Sequence, residues 1–80
     1  MAKIFVDGET RQKKNKEIGM RLNTLLAEND MFQYQFAEKL GVHAQTVTKW
    51  LNGRKTVSTP YLIPIADIFG VSVDYILRGE

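Results

Sequence analysis

The chain has no cysteine, one histidine, two prolines and no long apolar run. Without cysteine there is neither a disulfide framework nor a thiolate metal site. A single histidine does not supply a protein-only zinc site. No apolar stretch approaches the ~20 residues that a bilayer-spanning helix needs, and the N-terminus lacks the apolar core of a signal peptide. The expectation is a soluble, cytoplasmic protein with no cofactor, no membrane association and no small-molecule ligand. Catalysis has no candidate either, because a lone histidine, no Gly-rich phosphate loop and no convergent carboxylates leave no constellation to perform it. The expectation is that the chain is not an enzyme.

What is present is one small domain. Eighty residues with 44% hydrophobic content can bury a single modest core. The net charge of +2 hides a segregation along the chain. Residues 1–16 hold five Lys/Arg against two acids and residues 33–58 hold four against one, so each segment is +3. Residues 17–32 and 59–80 are each −2. A molecule with one basic face shows such a pattern, and attraction to phosphate is the sequence-independent part of nucleic-acid binding. Taken alone, either basic segment also fits ordinary solvated surface charge.

The chain opens with Lys3-Ile4-Phe5-Val6, a turn at Asp7-Gly8 and a basic run from Arg11 to Lys16. Residues 1–16 are expected to form a basic N-terminal arm, with the domain proper at 17–80. Helical periodicity begins near Lys13: Ile18, Leu22, Leu25 and Leu26 form one apolar stripe that Asn29-Asp30 ends. Gly19 within this helix costs up to ~1 kcal/mol relative to alanine, which suggests a close backbone approach there. A later helix should run to Phe69 with Leu62, Ile65, Ala66 and Phe69 on one face and Gly70 closing it. Its start is open. Ser58 and Thr59 are candidate caps and Pro60 suits a first turn, but Pro64 implies an irregular first turn or a start near Tyr61. A last short helix follows, capped by Ser72 and stopped by Gly79.

Between these lies the stretch from Gln33 to Asn52, QYQFAEKLGVHAQTVTKWLN. Phe36, Ala37 and Leu40 share one helical face, and Val47, Trp50 and Leu51 share another. Gly41 falls where the first helix must stop and the chain must turn sharply. The pattern is a helix-turn-helix. The outward face of its second helix is then His43, Ala44, Gln45, Thr48 and Lys49. Gln pairs bidentately with adenine in the major groove, and Lys reaches guanine acceptors. On the helix pair alone, a small bundle with a merely solvated polar face fits as well. The next residues, Asn52-Gly53-Arg54-Lys55, stop the helix and add two cations, and free backbone N–H groups in such a loop would clasp a phosphate.

Residues 17–79 resemble the Cro/repressor-type (XRE-like) DNA-binding domain of phage repressors and related bacterial regulators. The resemblance rests on QYQFAEKLGV followed by TVTKWLNG, and on IADIFGVSVDYIL, which is similar to the closing helix pair of that family. It implies an all-α, compact five-helix lambda-repressor-like domain with the helix-turn-helix formed by helices 2 and 3. It also implies base contacts by His43, Ala44, Gln45 and Lys49. Phosphate contacts are implied for Gln33, Asn52, Arg54 and Lys55, with Thr48 as a further sugar or phosphate contact.

Three positions depart from the family pattern. Phe32 and His43 stand where a Ser or Thr commonly caps each central helix, and Leu51 replaces a commonly acidic residue. Leu51 is expected to touch the core or a second subunit. The function implied is sequence-specific binding of a double-stranded DNA operator by a transcriptional regulator, most simply a repressor, as a homodimer. The alternative is a protein-interaction module, such as an antitoxin or antirepressor. An exposed Phe32, Leu51 or Ile4-Phe5-Val6 patch would favour it.

Overall fold

In the computed structural model the backbone is described for residues 8–80 and side chains for residues 13–80. The Lys3-Ile4-Phe5-Val6 stretch and Asp7 lie outside the described residues. Five helices follow in order: α1 (Gly8–Glu28), α2 (Gln33–Leu40), α3 (Ala44–Leu51), α4 (Thr59–Phe69) and α5 (Val73–Arg78). The described residues are all-helical, as the resemblance implied. None of these helices is long and apolar enough to cross a membrane.

Helix α1 starts well ahead of Lys13. From Glu9 to Lys16 the helix holds no proline and is rich in Glu, Arg, Gln and Lys, so nothing stops it from reaching back to Gly8. It runs without a break across residue 16, the point where the arm was expected to meet the domain. Its end is as expected. Asp30 takes a left-handed conformation (φ 50°), and Met31 N donates to Leu26 O at 2.9 Å while Asp30 N donates to Ala27 O at 3.2 Å. That is a Schellman stop with an acid in place of glycine.

Each helix places a side chain in one shared core. Leu22 of α1, Phe36 of α2, Val47 and Trp50 of α3, Ile65 of α4 and Ile76 of α5 are all essentially inaccessible to water. Burying such side chains contributes roughly 1.5–3 kcal/mol each relative to leaving them exposed. The rings of Phe36 and Phe69 lie 5.2 Å apart and tie α2 to α4, and Trp50 and Tyr61, 5.5 Å apart, tie α3 to α4. Leu51 is buried too, which assigns it to the core. The Trp50 indole N–H has no hydrogen-bond partner among the described residues.

Helix α4 resolves the open question about its start. It begins at Thr59, ahead of Tyr61, and its first bond, from Tyr61 N to Ser58 O at 3.0 Å, is of the tight i→i+3 kind. Pro60 falls in the first turn, where a missing N–H costs nothing. Pro64 is inside the helix on an exposed face, while Ile65, Ala66 and Phe69 are buried. Packing of that apolar face holds α4 helical through a residue that would otherwise cost ~3 kcal/mol.

The orientation of α3 depends on how closely α1 crosses its end. A Cβ at Gly19 would lie 2.5 Å from Leu51 O and 2.6 Å from Trp50 O, so the expected close approach is real. One turn earlier on α1, Lys16 abuts Gly53: a Cβ there would meet Lys16 Cγ at 2.5 Å and its Cα and N at 3.0 Å. Two glycines, one on each partner, therefore let α1 sit directly on the exit of α3.

Candidate nucleic-acid interface

The turn between α2 and α3 is built on Gly41. Its φ of 73° and ψ of 31° are left-handed, Gly41 N donates to Glu38 O and Val42 N donates to Ala37 O at 3.0 Å. This stop ends α2 abruptly and leaves only Val42 and His43 before α3 begins. Val47, Trp50 and Leu51 then hold α3 to the core by one face. The opposite face carries Ala44, Gln45, Thr48 and Lys49, with His43 just before it, and all of these are exposed. Asn52, Arg54 and Lys55 are exposed in the loop that leaves α3. At 1.5 Å per residue α3 is about 12 Å long, on the scale of a major groove roughly 12 Å wide.

Gln33, at the start of α2, is joined to this face. Thr48 Oγ1 donates to Gln33 Oε1 at 3.1 Å and also lies 3.1 Å from Ala44 O, so its single proton is shared between two acceptors. With its amide oxygen held, Gln33 has its two Nε2–H donors free among the described residues. Asn52 shows the same arrangement at the other end of α3. Its Oδ1 accepts from Arg54 N at 3.2 Å, which leaves Nδ2 as a free donor. Two exposed amides that offer only N–H suit a partner made of acceptors.

The helix N-termini add to this. Phe32 and His43 occupy the N-cap positions with extended backbones and make no side-chain cap bond. Phe32 has no acceptor to offer, so only half a capping box forms, with Gln35 Oε1 accepting from Phe32 N at 2.8 Å. The N–H groups of Gln33 and Tyr34, and of Ala44 and Gln45, are left without partners among the described residues. Each such end carries about half a positive charge. By contrast Ser72 caps α5 as expected, accepting from Tyr75 N at 2.9 Å.

One expectation is corrected. The loop after α3 has no free backbone N–H groups at residues 52–55. Asn52 N donates to Thr48 O, Gly53 N to Trp50 O, Arg54 N to Lys49 O at 2.9 Å and Lys55 N to Lys49 O at 3.3 Å. These groups satisfy the last carbonyls of α3, the usual need at a helix C-terminus. Anything residues 52–55 hold must be held by side chains.

Two features had no clear signal in the sequence. Phe32 and Tyr34, 66% and 60% exposed, stack with ring centroids 5.8 Å apart and planes 9° from parallel. Lys16 belongs to the neighbourhood of the loop through its contact with Gly53. The surface is also free of local anions along the chain, since no Asp or Glu lies between Glu38 and Asp67. Among the described residues no group of His, Asp or Glu could hold a metal ion.

Comparison with known proteins identifies the family of the fold. A helix-turn-helix family model (HTH_3) matches residues 22–76. A repressor protein CI from Enterobacteria phage phi80 is 36% identical over 63 residues, which cover 79% of this chain and 26% of that protein. An uncharacterized HTH-type transcriptional regulator from Haemophilus influenzae is 37% identical over 46 residues, covering 58% of this chain and 19% of its own length. The chain thus spans only about a fifth to a quarter of these relatives. No solved structure gives a significant match. The family match runs from the middle of α1 into α5 and includes the whole of α2, the Gly41 turn and α3, so the chain belongs to the helix-turn-helix family.

Proposed function

We propose that this domain binds double-stranded DNA in a sequence-specific manner and serves a transcriptional regulator, a repressor in the simplest case, by laying α3 in the major groove. The observation that carries the reading is the pair of outward amides, Gln33 and Asn52, that bracket the exposed face of α3. Their free N–H groups match phosphate oxygens, and the uncapped N-terminus of α2 favours an anion at the same place. Between them Gln45 and Lys49 address base edges, Ala44 offers a methyl contact and His43 reaches bases beside the helix start. Arg54 and Lys55 hold the backbone through their side chains. Thr48 acts mainly through Gln33, since its hydroxyl proton is already engaged.

One α3 reads few base pairs, so the proposal includes a homodimer on a two-fold operator with half-sites one helical turn, ~34 Å, apart. It places the protein in the cytoplasm and needs no cofactor, small-molecule ligand or catalytic chemistry. The relative named as a repressor supports the repressor role. The interaction-module reading keeps one observation, the exposed Phe32, since Leu51 is buried. Selection of bound sequences from a random duplex pool at stated salt tests the proposal. An enriched two-fold motif is expected, and folded protein that enriches nothing transfers the weight to the interaction module.

A further inference from the structure

Residues 15 and 16 of α1 are packed against the loop that leaves α3. Gly53 has a φ of 78° and no room for a side chain, because Lys16 lies against it. One residue earlier, Asn15 is 9% exposed and its Oδ1 accepts from Thr56 Oγ1 at 3.2 Å. These two contacts fix the backbone of residues 15 and 16 against residues 53–56. The Lys16 side chain is exposed, and so is that of Lys13, which precedes it by three residues and therefore shares its helix face. Glu17, four residues after Lys13, is half-buried and lines a groove with Met20, Arg21, Thr24 and Tyr75. Lys13 and Lys16 thus form a cationic ridge whose Lys16 end adjoins the loop that carries Arg54 and Lys55.

We propose that Lys13 and Lys16 form a second clamp on the sugar-phosphate backbone of duplex DNA, so that α1 extends the footprint beyond the bases α3 addresses. The inference rests on the DNA-binding reading above. Its chemistry is charge complementarity with continuity: Lys16 lies against Gly53, next to Asn52, Arg54 and Lys55, and its backbone is positioned by packed contacts rather than by a flexible chain. Ammonium groups on long stems contact phosphates without regard to base identity. The ridge therefore adds affinity and salt dependence, and no specificity.

The test measures Kd of the full chain on its selected operator and on a random duplex from 50 to 200 mM salt. Each phosphate contact contributes about 0.9 to the slope of log K against log salt, so Lys13→Gln with Lys16→Gln should lower the slope by about 2, equally on both duplexes. Lys13→Gln alone, which leaves the Gly53 seat untouched, should lower it by about 1. The Lys→Arg pair should retain the original slope, and Lys39→Gln, in the last turn of α2, should leave it unchanged. An unchanged slope in the double variant overturns the ridge, and so does an equal fall for Lys39→Gln, which marks a general charge effect. If Lys55→Ala lowers the slope while the α1 variants do not, the ridge alone fails. If the unaltered protein binds no duplex at any salt, the DNA-binding reading fails and the ridge with it.

Discussion

Alanine in place of a helix-interior glycine ordinarily stabilises by up to ~1 kcal/mol, but at Gly19 the sign should invert. The new Cβ would sit 2.5 Å from Leu51 O and 2.6 Å from Trp50 O, both backbone atoms that cannot swing away. Overpacking of this kind costs about 1–3 kcal/mol. Gly19→Ala is therefore expected to lower the urea midpoint at unchanged m-value, and a raised midpoint would contradict the close crossing. At Thr48 the expectation concerns binding rather than folding. Thr48→Val keeps the shape of the side chain and removes the hydroxyl that holds Gln33 Oε1, so melting should barely change. Binding to operator and random DNA should weaken alike by about 0.5–1.5 kcal/mol, the net worth of one hydrogen bond. A loss confined to the operator would instead make Thr48 a reader of bases. The exposed residues of α3 were legible because a helical face is a matter of spacing. The bond between Thr48 and Gln33 was not, because it joins residues that only the Gly41 turn brings together.

At the level of elements, α2 and α3 are short and both lack a side-chain cap. His43→Ser gives α3 the hydroxyl its start is missing and should stabilise by about 1 kcal/mol. For a domain of this size that corresponds to roughly 4–8 °C in Tm. Thermal melts followed by circular dichroism would check it, and no gain would mean that the N-terminus of α3 is already satisfied. The weak caps could be read from Phe32 and His43 themselves, and the Ser72 cap and Gly70 stop were equally visible. Other boundaries were not. Pro64 argued for a late or irregular α4, and only the burial of Ile65, Ala66 and Phe69 in a shared core shows why a continuous helix prevails. The loop N–H groups at 52–55 looked available for phosphate because a sequence shows donors without the α3 carbonyls that consume them.

Over the whole molecule, a net charge of +2 is small, and what matters is where it lies. Cations and outward amides gather around α3, and α1 brings Lys16 against the exit of that helix. Under the proposed function, the work divides between groups that attract any duplex and groups that tell duplexes apart. Gln45 is proposed to belong to the second kind. The most direct measurement is the Kd of the unaltered protein and of Gln45→Ala on the selected operator and on a random duplex, at one stated salt concentration. A loss of about 1–3 kcal/mol is expected on the operator and much less on random DNA. Equal losses on both would contradict base reading by α3.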